Sequence, residues 1–434
     1  MERVADARTN ALNEANGICY YEDICYAAKY LIGQVSSSGY TRASDAFFPY
    51  TPHWFRDSSY IAIALDDFAS FSKRINPSLS EEAANAANRI NTFNLEAIEH
   101  YESSMRRALR LTYEDQEFYR LSSHIPARVN ERFGLFSASD GRFKLEDTAD
   151  SRWLVQYDTL PLVLLAVFNE MHTVGISEYE KSKISKHALL WTEYLGKVYQ
   201  TPSSEAWETD ETDYIYFYNV AAIFKAKEIL KQFAGSGMVS ATAEEIERAF
   251  NFLYKNGGIA GALRDFVKDG IAYARRLPFN GPDTSFGIDA EQIFAFTRFG
   301  IGDNELGAGV EEKTMAKISQ DLIGGNMLPI RNASDVYFCG GRWLLLGLEY
   351  ANYELSKGNI ESAKRRIDYI LSKYRNSMPE QELVNPAHPE SARGKEFLAQ
   401  NGNEPIQRLN WSFASFTDSA LFLNYALQKD VLRS

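Results

Sequence analysis

The segment RWLLLGLEYANYELSKGNIESAKRRIDYILSKY, residues 342–374, holds two helices of different kinds joined by Ser-Lys-Gly. In the first, residues 342–355, apolar side chains run nearly all the way round. In the second, residues 359–374, they fall at positions 360, 363, 367, 370, 371 and 374, which is a single helical stripe. A helix apolar on every side is buried on every side, whereas a striped one lies at the surface. The same contrast recurs along the chain. Residues 60–71 and 159–168 are of the buried kind, and residues 178–198 are of the striped kind.

About a dozen helical segments can be placed this way, at roughly 20–34, 57–74, 81–112, 157–172, 178–199, 212–234, 242–268, 287–298, 310–323, 339–357, 359–375 and 411–428. Ser78 with Glu81, and Thr242 with Glu245, fit the capping box that starts a helix. No sustained strand alternation is visible, and short strands are expected only in loops, near 44–52 or 272–280. Alternating inner and outer helices in this number predict an all-α chain folded as an (α/α)6 barrel. No proline- or glycine-rich linker interrupts it, so residues 1–434 are expected to form one domain.

The chain carries 46 Lys and Arg against 58 Asp and Glu, a net charge of −12. That balance argues against nucleic acid or an anionic membrane as partner. Three cysteines do not make a disulfide framework, and no metal-ligand spacing is present, so neither metal nor organic cofactor is expected. The N-terminal stretch has no apolar signal core, which leads to the expectation of a cytoplasmic protein. Aromatic residues make up 13% of the chain. Flat rings beside polar groups suit a neutral, hydroxyl-bearing ligand such as a sugar.

Polar–aromatic clusters stand where the buried helices begin. FFPYTPHWFRDSSYIAIAL (47–65) sets Arg56 and Asp57 between aromatics and an apolar run; Gln156 and Asp158 precede another such run. Trp207 and Glu208, Arg331 and Asp335, Trp343, Pro379-Glu380-Gln381 and Trp411 complete the series. Individually these have bland readings. Asp57 and Asp158 fit helix N-caps, Arg331–Asp335 fits a weak surface pair, and His53 fits a packed histidine.

In combination and in order, the clusters resemble the glucoamylase family, glycoside hydrolase family fifteen, over roughly residues 20–428. The matches are Tyr50, Trp54, Arg56 and Asp57 for its first motif and Gln156 and Asp158 for its Gln-x-Asp. Trp207 and Glu208 match its acid motif, Arg331, Asp335 and Trp343 its Arg-x3-Asp-x7-Trp, and Glu380 with Gln381 its base motif. Leu409, Trp411, Ser412 and Ala414 match the closing motif. The resemblance implies an (α/α)6 barrel and an inverting, exo-acting α-glucosidase acting on maltose- or isomaltose-type substrates. Glu208 would be the general acid and Glu380 the general base. Tyr50 would help hold the water, and Trp54, Trp343 and Trp411 would wall the pocket. Arg56 and Asp57 would grip glucose hydroxyls rather than form an internal clamp.

The chain departs from the family pattern at Thr209, Tyr157 and Pro161, and in the long polar segment 385–405. These leave the linkage open among α-1,4, α-1,6 and trehalose. The alternatives are a trehalase of the same family, a non-catalytic glucan-binding toroid, and an enzyme of the same architecture acting on another sugar.

Overall fold

The computed structural model describes residues 18–44, 52–111, 125–129, 156–204, 206–207, 213–251, 257–278, 280–333, 335, 340–382 and 407–431. Its helices run α1 (Tyr21–Gly33), α2 (Phe55–Ser72), α3 (Pro77–His100), α4 (Glu102–Ala108), α5 (Thr159–Thr173), α6 (Glu178–Val198), α7 (Phe217–Gly235) and α8 (Ala243–Asn251). There follow α9 (Gly258–Arg264), α10 (Gln292–Thr297), α11 (Asp303–Leu306), α12 (Val310–Ile318), α13 (Leu344–Ser356), α14 (Ile360–Tyr374) and α15 (Asn410–Val431).

The inner helices close into a ring. Each of α2, α5, α7, α10, α13 and α15 packs on the next, and α15 returns to α2. The outer helices α1, α3, α6, α8, α12 and α14 surround them, giving the (α/α)6 barrel. Residues Phe55 to Leu65 of α2 are all buried, whereas α14 buries a stripe through Ala363, Ile367, Ile370 and Leu371. One continuous apolar core runs from Ile24 to Leu423. Among the described residues, no helix is long and apolar enough to cross a membrane.

Among the described residues, four antiparallel two-residue strand pairs complete the frame: β1–β2 (His53–Trp54, Arg128–Val129), β3–β6 (Ile215–Tyr216, Arg275–Arg276), β4–β5 (Val267–Lys268, Ile271–Ala272) and β7–β8 (Arg342–Trp343, Gln381–Glu382). Strands β1, β3 and β7 lead directly into the inner helices α2, α7 and α13. They tie the starts of those helices to distant loops at one end of the barrel, its mouth.

Several boundaries differ from the sequence reading, each for a local reason. Helix α13 starts at Leu344 because Arg342 and Trp343 are taken up in β7. The stretch 242–268 divides at Gly257 and Gly258, both with positive φ, which a continuing helix does not accept. Helix α3 starts earlier than the Ser78–Glu81 box implies. Asn76 is its cap, accepting from Leu79 N at 3.2 Å, with Pro77 preset for the first turn. The Thr242–Glu245 box is present: Glu245 N donates to Thr242 Oγ1, and Thr242 N to Glu245 Oε2. A further box, Ser177 with Glu180, starts α6.

Candidate active site

Arg56 lies in the first turn of α2 and is 5% exposed. A buried guanidinium needs acceptors on the protein. Those of Arg56 include three: its Nε donates to Asp158 Oδ2 at 2.8 Å, Nη2 to Gln156 Oε1 at 2.5 Å and Nη1 to the Ala206 carbonyl at 2.5 Å. This corrects the expectation that Arg56 is no internal clamp, because its charge joins the starts of α2 and α5 to the segment bearing Trp207. Asp158 occupies the N-cap position of α5 without capping it. Its Oδ2 instead serves Arg56 and the Tyr218 hydroxyl, the latter at 3.1 Å. The N-cap of α2 is Trp54, so Asp57 is no cap either; it is buried in the first turn.

From Ala206 the site continues through Trp207. The Trp207 and Trp343 rings lie 5.1 Å apart at 43°, and the Arg331 guanidinium sits 5.5 Å from the first and 5.2 Å from the second. Arg331 also pairs with Asp335 at 2.5 Å, with side chains 8% and 1% exposed. The pair is therefore buried, not the surface contact its spacing suggests. Trp343 pairs with Gln381 across β7–β8. Glu380, 2% exposed, immediately precedes that strand, and its carbonyl accepts from Leu344 N at 3.2 Å. Ser412 Oγ donates to the Pro379 carbonyl at 3.3 Å, joining the Glu380 loop to α15. Trp411 returns the circuit to its start: it stacks on Tyr60 at 4.9 Å, and the Arg56 guanidinium lies 5.9 Å from its ring.

The mouth is thus lined by a closed circuit: Arg56, Ala206–Trp207, Arg331, Trp343, Glu380–Gln381 and Trp411. Trp54 precedes α2, buried against Ala43 and Ala127 with Arg128 stacked on it at 4.6 Å. Tyr50 and Glu208 fall outside the described residues, as does the segment 385–405. His53 is packed and neutral. Its Nδ1 accepts from Thr41 N, its Nε2 meets Asn94 Oδ1 at 2.7 Å, and burial pulls its pKa down to about 4.

Several buried polar atoms here have no hydrogen-bond partner among the described residues. They include Gln156 Nε2, Asp158 Oδ1, both side-chain amide atoms of Gln381, and Trp411 Nε1. Orphaned groups of this kind cost free energy unless something polar meets them. The Gln381 amide lies against Gly341, where an added Cβ would stand 2.1 Å from its Oε1.

The sequence reading missed a second layer formed by DAE, residues 289–291. Asp289 accepts from Trp207 Nε1 at 2.7 Å, Glu291 N at 2.9 Å and Asn332 Nδ2 at 2.8 Å. Burial pushes its pKa up to about 6 despite those donors. Glu291 Oε2 accepts from Ala206 N at 3.2 Å. The available signal was an acidic cluster ahead of the apolar run IFAF, which reads equally well as first-turn acids of a helix. Among the described residues, no group of three or more His, Cys, Asp or Glu is placed to hold a metal.

No protein-family model matches the chain, and no curated protein matches it. Solved structures do. A glycosidase variant aligns with TM-score 0.70 at 18% identity, covering 94% of this chain and 97% of that one. A further glycosidase variant, in complex with glucose, aligns with TM-score 0.69 at 18% identity over 95% and 99%. The glucoamylase of Hormoconis resinae aligns with TM-score 0.55 at 15% identity over 94% and 73%. By fold, the chain is a glucoamylase-like (α/α)6 barrel.

Proposed function

We propose that this chain is an inverting, exo-acting α-glucosidase that releases β-glucose from short α-glucosides of the maltose or isomaltose type. The whole chain would act as one catalytic domain. The observation that carries this reading is the closed circuit at the mouth. Motif residues from segments hundreds of positions apart meet in one ring, with unpartnered polar atoms and indole faces in it. Sugars offer hydroxyls to such atoms and C–H faces to such rings. A structurally similar glycosidase holds glucose, which supports the choice of ligand.

In this mechanism Glu208, next to Trp207, protonates the departing oxygen. Glu380, on the segment that abuts α13 and α15, takes a proton from the attacking water. Inversion requires that water to fit between base and sugar, with carboxyl groups roughly 6.5–9.5 Å apart. Arg56 is committed to Asp158, Gln156 and Ala206, so its contribution is to hold the first motif and the acid segment together. Asp57, Gln156 and Gln381 would supply sugar contacts, with Tyr50 near the water.

A glucose-release assay on maltose, isomaltose, trehalose and maltodextrin tests the reading. Release from maltose or isomaltose, lost in Glu208→Gln and in Glu380→Gln, is the expected result. Cleavage of trehalose alone would make the chain a trehalase. Calorimetric binding of these sugars without turnover would make it a glucan-binding toroid.

A further inference from the structure

We propose that Asp289 is a positioning residue of the mouth, holding the Trp207 platform and the Arg331 segment in register with each other. Its two carboxylate oxygens face different segments. Oδ1 accepts from the Trp207 indole at 2.7 Å, and Oδ2 accepts from Asn332, the residue after Arg331, at 2.8 Å. Its neighbours repeat the connection through the backbone. Ala290 N donates to the Arg331 carbonyl at 2.7 Å, and Glu291 Oε2 accepts from Ala206 N at 3.2 Å. Residues 289–291 therefore bond to both the Ala206–Trp207 and the Arg331–Asn332 segments.

The plate is anchored in turn. Asp289 N donates to Gln292 Oε1 at 3.0 Å, and Gln292 Nε2 donates to the Ala272 carbonyl at 2.9 Å. Asp289 is 2% exposed. A carboxylate buried that far costs free energy that three N–H donors offset in part. Two of those donors, on Trp207 and Asn332, adjoin candidate site residues. A brace needed for stability alone has no reason to end on those two residues. Trp207 and Arg331 also meet each other and the Trp343 ring, and Asp289 adds a hydrogen bond to each of their segments.

The kinetic consequence rests on the glucosidase reading; the structural one does not. The test uses the full chain labelled with ¹⁵N-tryptophan, in which the Trp207 indole N–H is the resonance lost in Trp207→Phe. In Asp289→Ala that resonance should shift and exchange faster with water. Asp289→Asn keeps one acceptor and should fall between, and it serves if the alanine variant fails to fold.

On maltose and isomaltose, Asp289→Ala should lower kcat about 100-fold, the scale of a misplaced site group, with a smaller change in KM. The double variant with Trp207→Phe should lose no more than the worse single variant, because the aspartate acts through the indole. An unshifted indole resonance, or losses that multiply in the double variant, would overturn the proposal. A parent chain inactive on both sugars would sink the glucosidase reading by itself, and the indole resonance would still decide whether Asp289 holds Trp207.

Discussion

The two ends of the inner barrel both bury carboxylates, but they satisfy them in different ways. At the mouth, Asp158 faces Arg56 at 2.8 Å and Asp335 faces Arg331 at 2.5 Å, and indole rings lie alongside. Eleven residues beyond the first residues of α2 and α5, roughly 16 Å of helix rise, Asp66 and Glu170 lie with Glu180, with no cation paired to them among the described residues. Glu170 accepts from Asn88 at 3.0 Å and Asn91 at 2.7 Å, and Asn88 also donates to Glu180 at 2.9 Å. Burial raises Asp66 well above its ordinary pKa and pushes Glu170 up to about 8. Burial at the far end therefore favours the protonated forms of Asp66 and Glu170, while the mouth pairs Asp158 and Asp335 with guanidinium. A buried acid alone does not mark a site; the candidate site differs in that its acid–guanidinium pairs stand beside indole rings at the starts of the inner helices.

The largest effect should come from the mouth without loss of stability. Glu380→Gln and Glu208→Gln should each cut turnover by about 100- to 10,000-fold, the range for a removed acid or base. Their denaturation midpoints should stay near the parent value. Glucose release and urea melts check this together; near-full activity in either variant would break the assignment.

Next in size is Asp158→Ala, which leaves Arg56 buried with its strongest partner gone. A loss of about 3–5 kcal/mol is expected in urea unfolding. An unchanged midpoint would show that Gln156 and Ala206 suffice for Arg56.

At the far end the prediction concerns pH. Glu170 holds its proton up to about 8 when folded, against an ordinary 4.5 when unfolded. Between those values the unfolded chain releases a proton that the folded chain keeps, so this group makes stability fall as pH rises. His53, lowered to about 4, works in the opposite direction between 4 and its ordinary 6.5. The difference between parent and Glu170→Gln isolates the first term. The variant should lose less stability from pH 5 to pH 8, with activity unchanged. Equal slopes in urea melts across that range would mean Glu170 is ionised in the fold.

The smallest test compares two surface caps. Thr242→Ala should cost about 1 kcal/mol, because Thr242 caps α8. Ser78→Ala should stay within about 0.5 kcal/mol, because Asn76 caps α3 in its place.

These contrasts also show what was legible in the sequence. The inner helices could be read because residues such as Leu344–Leu346 leave no polar face, and the striped α14 because it leaves one. The motif residues Arg56, Trp207, Arg331, Trp343 and Trp411 could be read from order and spacing, and the barrel brings them together. The role of Arg56 could not, because its partners lie 100 and 102 residues away in Gln156 and Asp158. Asp289 was hidden for the same reason: Trp207 and Asn332 stand 82 and 43 residues from it. Local pattern gives the faces of helices. It does not give which buried donor meets which acceptor once the ring closes.

The most direct test of the central claim is proton NMR of glucose at the first moments of maltose or isomaltose hydrolysis, before the anomers interconvert. A water activated by Glu380 and attacking opposite to the Glu208-protonated oxygen gives β-glucose first. α-Glucose as the first product would contradict the account.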